Sequence, residues 1–200
     1  MKLDIILAGV GGQGILTLSY VVDSLAVARG LHFKQAEVHG MAQRGGAVYS
    51  HLRISDEEVL SDLVPPGQAD LILAVEPLEV QRYLEYLKPT GTVIANTEPH
   101  VNISDYPEHD KVLDALRRLP RCVLVDAKDI ATRCRAAKAQ NMVILGAATA
   151  FMPFAIAEYE PFVRKLFGAK GDFLVQANMA VLEAGYAVGA AAREGWAKSA

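Results

Sequence analysis

The residues with the clearest capacity for chemistry lie in two glycine-rich stretches. In the first, Gly9-Val10-Gly11-Gly12-Gln13-Gly14, the glycines fall at the G-x-G-x-x-G spacing. It follows the apolar run Leu3, Ile5, Ile6, Leu7 and precedes the helix-like run Ile15, Leu16, Leu18, Val21, Val22, Leu25. A strand that turns into a helix through such a loop aims backbone N–H groups and the positive helix end at one small volume, where an anion fits. The same glycines would also serve a tight turn with no ligand at all, so the spacing needs a second feature beside it.

That feature is Glu37-Val38-His39-Gly40-Met41-Ala42-Gln43-Arg44-Gly45-Gly46. In a dinucleotide-binding fold an acid at the end of the second strand grips a ribose, and Glu37 stands in the corresponding place. A helix should follow such an acid. Here a polar segment follows instead, leading into the strand-like alternation from Ala47 to Ile54, which weakens the nicotinamide reading. Within the segment, Gly45 and Gly46 let backbone approach another surface. Arg44 offers a planar fork of donors for carboxylate or phosphate, and Gln43 and Ser50 add neutral hydrogen-bonding groups. His39 can titrate near neutrality, or serve as a hydrogen-bonded structural histidine. The candidate ligand-binding set is therefore Gly9, Gly11, Gly12, Gln13, Gly14, Glu37, His39, Gln43, Arg44, Gly45, Gly46 and Ser50, with no catalytic residue and no metal ligand among them.

The elements that must position this set follow from periodicity. Residues 13–29 read as a helix stopped by Gly30, 31–38 as a second strand, and 47–54 as a strand with His51 and Arg53 on a solvated polar face. Asp70 to Val75 is a compact apolar strand, and Val80, Tyr83, Leu84 and Leu87 mark a helix that Lys88-Pro89-Thr90-Gly91 should end before a strand over 92–95. Glu76 and Asn96 each follow a strand end, where they could cap or bend the chain or touch a ligand. Residues 97–110 read as a surface loop. Cys122 to Val125 is a strand, with Asp126 placed to cap the following helix. Asn141 should cap a buried helix over 142–157, too short and too interrupted by Gly146 and Pro153 to cross a membrane. A last helix over 174–192 precedes a tail, 193–200, that should fray. The strand–helix–strand rhythm calls for one domain of the α/β class: a three-layer, Rossmann-like, mostly parallel sheet with helices on both faces and a helical C-terminal part.

Bulk properties narrow the function. A 200-residue chain that is 52% hydrophobic and carries a net charge of −3 gives no general attraction for nucleic acid or anionic membrane, leaving small molecules and protein partners. Cys122 and Cys134 form no C-x-x-C pair and cannot by themselves hold an iron–sulfur cluster or a zinc ion. With no secretory signal in evidence, free thiols in a reducing cytoplasm are expected. There is no G-x-S-x-G elbow, no H-E-x-x-H helix and no Walker loop, so an unaided hydrolase or kinase has no support.

Taken together, the two glycine stretches resemble the gamma domain of the 2-oxoacid:ferredoxin oxidoreductases, most closely the small beta subunit of the indolepyruvate branch. Asn141 with Leu145-Gly146, and Asn178 with Gly185, extend the likeness over most of the chain. The resemblance implies an accessory subunit, inactive alone, beside a large catalytic partner. That partner would carry thiamine diphosphate, Mg²⁺ and iron–sulfur clusters, decarboxylate a 2-oxoacid such as an arylpyruvate, pass electrons to ferredoxin and yield an acyl-CoA. The chain itself lacks the G-D-G…Asn thiamine signature of the family's catalytic chains and would help to bind coenzyme A or the substrate anion. The competing readings are a stand-alone reductase holding NAD or a flavin, and a non-catalytic nucleotide-binding module.

Overall fold

A computed structural model describes residues 1–37 and 41–199. Among them, six strands form one sheet: β1 (Lys2–Val10), β2 (His32–Glu37), β3 (Ala47–Ser55), β4 (Ala69–Ala74), β5 (Leu87–Asn96) and β6 (Cys122–Val125), in the order β2-β3-β1-β4-β5-β6. β1, β4, β5 and β6 pair in parallel, whereas β3 is antiparallel to both β1 and β2. Five strands thus point one way and β3 alone is reversed. The sheet is the mostly parallel one expected, with a single antiparallel insertion.

Alternation along the strands loads both faces. Leu3, Ile5, Leu7, Leu71 and Leu73 meet a large core that also holds buried residues of α1 (Ile15–Ala28), α4 (Ala127–Arg133), α5 (Gln140–Thr149), α6 (Glu160–Phe167) and α7 (Asp172–Ser199). Ile6, Ala8, Ile72, Ala74, Val93 and Ala95 meet a smaller core closed by α2 (Glu79–Tyr83) and α3 (His109–Arg117). This is the three-layer arrangement, with its heavier layer on the α1 side.

Several boundaries differ from the expectation for physical reasons. Residues 88–91 do not terminate a helix; they belong to β5, which begins at Leu87. Pro89 is tolerated there because the β4–β5 register shifts between Ala69 and Leu71, and β6 joins the ladder only from Val93, so the proline withholds no ladder donor. The buried helix α5 stops at Thr149 rather than running to 157, short of Pro153, which could not continue it. Asn141 is not its cap: the cap position is Ala139, and the Asn141 carboxamide donates to the Gly14 carbonyl at 3.2 Å. The last helix starts at Asp172 and continues past Ala192 to Ser199, with Arg193 Nη1 donating to Ala150 O (2.5 Å) and Trp196 packed on Phe151.

His51 and Arg53, expected on a solvated face, are instead enclosed. His51 is buried, accepts the Val64 N–H at Nδ1 (3.1 Å) and meets Tyr49 and Tyr86 edge-on. Burial lowers its pKa, with Asp62 opposing and Arg53 reinforcing the shift. Arg53 donates from Nε to the fully buried Asp4 carboxylate (2.9 Å) and from Nη1 to the carbonyls of Ser61 and Leu63. Both side chains hold the 56–68 segment against the sheet.

Gly146 in α5 faces α7. A Cβ built on Gly146 would lie 2.1 Å from the Leu182 carbonyl oxygen, and one on Gly185 2.1 Å from that of Val143. The two helices meet backbone to backbone, so the close packing is internal to the chain. A Gly185→Val substitution should separate them and lower stability by about 3 kcal/mol, measured as a shifted urea midpoint at unchanged slope.

Candidate functional site

The glycine loop stands at the carboxyl end of β1, beside β4, where the chain's crossovers diverge to opposite faces of the sheet. Gly14 adopts φ 82° and caps α1; no side chain caps this helix and its first turn carries no acid. The opening N–H groups of α1 therefore lack side-chain acceptors, the arrangement that favours an anion. Gly12, also at positive φ, has open space where a Cβ would sit.

The two glycine stretches are joined directly. Gly11 N–H donates to Gly46 O (2.8 Å), and Gly45 N–H donates to Gly11 O (3.2 Å). A Cβ on Gly11 would stand 2.3 Å from the Ala42 carbonyl oxygen, so only glycine permits the approach. Asn102 Nδ2 donates to Gly45 O (2.9 Å), tying residues 97–108 to the same point. That segment is thus fastened to the site rather than a free surface loop, and Glu76 fastens its other side. The Glu76 carboxylate accepts from Tyr106 O–H, from His100 N–H and from Glu79 N–H. Asn96 spans the strand ends, donating to Val75 O and accepting the Ala127 and Glu98 N–H groups. Asp126 caps α4 through the Asp129 N–H, as expected.

The other candidate residues fall in different environments. Gln13 turns inward: its Oε1 accepts the Val10 N–H at 2.8 Å, and the side chain braces the loop. Gly11, Gly12, Gly14, Glu37 and Gln43 line one cavity of about 280 Å³ together with Leu16 and Tyr49. Gly9 packs under the loop, where a Cβ would strike Val75. Ser50 is fully buried in the sheet, accepting from Gln35 Nε2 (3.1 Å). Arg44 is solvent-exposed beyond the Met41–Gln43 turn and lines none of the cavities around the loop. His39 lies outside the described residues.

Gly12 borders two further cavities. One, of about 450 Å³, is walled by Asn96, His100, Gln140 and Asn141. The other, of about 470 Å³, runs from Gly12 and Gly14 past Thr17 to Asn178 and is rimmed by Arg135, Lys138 and Lys170. These three cations around the open end of α1 escaped the sequence reading. The signal for Arg135 and Lys138 was the basic run Arg133-Cys134-Arg135-Ala136-Ala137-Lys138; Lys170 had none. Arg135 holds φ 56°, the one non-glycine residue at positive φ among the described residues, a strained setting that often marks a binding site. No group of three His, Cys, Asp or Glu side chains among the described residues is placed to hold a metal ion.

Glu37 acts on a neighbour. Asp23, buried on α1, has a carboxyl pKa raised to about 7, mainly by burial and further by the Glu37 charge. An unfolded aspartate ionises near 3.8, so the folded state holds an extra proton between about pH 4 and 7, and stability falls as pH rises through that window. An Asp23→Asn variant should be more stable than wild type above about pH 7, by at most about 4 kcal/mol, and the difference should vanish below about pH 4. Thermal melts across that range check this.

Comparison with known proteins adds lineage to this geometry. The family model described as pyruvate ferredoxin/flavodoxin oxidoreductase matches residues 4–188. Indolepyruvate oxidoreductase subunit IorB of Archaeoglobus fulgidus is 40% identical over 195 residues, spanning 93% of this chain and 94% of that protein. Among solved structures, the pyruvate oxidoreductase subunit PORC of Thermotoga maritima superposes with a TM-score of 0.72 at 22% identity, covering 92% of this chain and 95% of that one. The 2-oxoglutarate:ferredoxin oxidoreductase of Magnetococcus marinus, solved with 2-oxoglutarate, coenzyme A and succinyl-CoA bound, superposes with a TM-score of 0.76 at 19% identity. The match covers 95% of the present chain and 31% of that larger one.

Proposed function

The chain belongs to the pyruvate ferredoxin/flavodoxin oxidoreductase family, and from that premise we propose that it is the gamma-type accessory subunit of a 2-oxoacid:ferredoxin oxidoreductase acting on indolepyruvate or another arylpyruvate. A larger partner carries thiamine diphosphate, Mg²⁺ and iron–sulfur clusters; these supply decarboxylation and electron transfer to ferredoxin, leaving an acyl group on coenzyme A. This chain's part is to hold an anion and to present a surface.

One observation carries the reading: the uncapped start of α1 opens beside Gly12 into a cavity rimmed by Arg135, Lys138 and Lys170. Helix-end N–H groups together with three cations suit the phosphate groups of coenzyme A, because both favour concentrated negative charge. Thr17 and Asn141 line the same space and add neutral polar groups. Met41 and Val101 stand largely exposed beside the Gly45–Asn102 contact, an apolar rim of the kind a partner subunit covers.

The nicotinamide alternative loses further ground in the sheet order. β3 lies between β1 and β2, so the strand ending in Glu37 is two ladders from the glycine loop's strand, about 10 Å away, instead of adjacent to it.

Two experiments test the assignment. Affinity purification from the native cell should bring down a thiamine-dependent, iron–sulfur partner; its absence retires the subunit reading. In the reconstituted complex, Arg135→Gly should relieve backbone strain and raise the chain's stability by about 1 kcal/mol while raising KM for coenzyme A about tenfold. Lys138→Ala should raise KM comparably, and an unchanged KM in both variants removes coenzyme A from this cavity.

A further inference from the structure

Across Leu16 and Glu37 from the glycine-loop cavity lies another cavity, of about 600 Å³, between α1, β2 and α6. No part of the subunit reading uses it. Its walls are apolar: Leu16, Tyr20 and Val27 from α1, Phe33 from β2 and Phe162 from α6. Leu16, Val27 and Phe33 are exposed, although each is a large apolar side chain. Ser19, Asp23, Ser24, Gln35, Glu37 and Lys165 supply its polar part, and the Ser19 hydroxyl donates to the carbonyls of Ile15 and Leu16.

Asp23 is the anomaly. It is 8% exposed, and its Oδ1 is sealed from solvent with no hydrogen-bond partner. Gln35, the nearest amide on β2, already spends its Nε2 on Glu37 Oε2 (3.2 Å) and Ser50 Oγ (3.1 Å). Lys165 lines the rim, but its ammonium lies over the Tyr20 ring, 5.8 Å from the centroid, and does not offset the burial of Asp23. Glu37 and Lys165 are the other charged residues lining the cavity. A mid-helix carboxyl, buried beside a second carboxylate and lacking a donor, costs folding energy. Such a cost at the wall of an open apolar cavity is offset when a ligand brings what is missing: N–H donors and positive charge on an apolar body.

We propose that this cavity binds a small amphiphilic amine or amidine, whose cationic head is received by Asp23 and Glu37 and whose aromatic or aliphatic body lies among Tyr20, Phe33 and Phe162. A cation there stabilises the ionised form of Asp23, so binding expels the proton that burial retains. The site stands independently of the coenzyme A assignment, sharing no lining residue with the basic-rimmed cavity.

The test uses the full chain titrated with phenethylamine and, as its neutral counterpart, 2-phenylethanol, followed by amide NMR and calorimetry. Saturable shifts are expected along α1 and at Phe33 and Phe162, with the amine at least tenfold tighter than the alcohol. Because Asp23 titrates at about 7, calorimetry in buffers of different ionisation enthalpy should show release of about half a proton per amine at pH 7. Asp23→Asn should bind both probes equally and abolish the proton release. Equal binding of the two probes by wild type overturns the proposal, as does absence of saturable shifts or an Asp23→Asn variant that still prefers the amine. A face that merely seats another protein chain would give the first of these results.

Discussion

The structure depends on a backbone contact that no side chain could make. Gly11 exchanges hydrogen bonds with Gly45 and Gly46 across a gap that leaves no room for a Cβ. The contact fixes the end of β1 against the start of β3, and that pairing in turn sets the nine-residue antiparallel register from Val10 opposite Ala47 to Lys2 opposite Ser55. Because β3 is held at β1, β2 is displaced to the sheet's edge, and Glu37 comes to rest between two cavities rather than on a ribose. One close backbone approach thus closes the loop end of the β1–β3 ladder and sets the surroundings of the ligand-facing residues.

Around that contact, buried polar groups do the fastening. Glu76 joins the start of α2 to residues 100–106, and Asn96 joins the ends of β4 and β5 to the start of α4. Asn141 reaches from α5 to the Gly14 carbonyl. Each uses polar atoms on backbone groups of neighbouring segments, which is how a carboxyl edge built of loops stays ordered without a ladder. The anion-facing helix end is left open within this framework.

Much of this was legible in the residues, and the failures have identifiable causes. The strand–loop–helix at Gly9–Gly14, the missing helix after Glu37 and the Asp126 cap are local, and local chemistry writes them directly. The position of β3 between β1 and β2 is a non-local choice, which alternation cannot reveal. His51 and Arg53 misled because the second face of β3 is covered by Tyr83, Tyr86 and the 56–68 segment, so polar residues there signal a buried clasp instead of solvent. Arg44 drew attention through its donor fork beside glycine-rich backbone and stands exposed in the structure, whereas Arg135 drew none because a left-handed φ leaves no mark in composition. Asp23 lay hidden in an apolar helix pattern, since one carboxyl does not disturb a hydrophobic stripe.

The meeting of α5 and α7 carries a consequence for the order in which the protein can assemble. β1 is made before either strand that flanks it, one at residues 47–55 and the other at 69–74. The layer that shields its α1 side includes Val181 and Leu182 of the final helix. These apolar segments must therefore wait, unshielded on that face, until α7 has been made. Synthesis of this protein draws heavily on whatever in the cell protects unfinished chains, and a message truncated before α7 yields material destined for aggregation or degradation rather than a smaller working subunit.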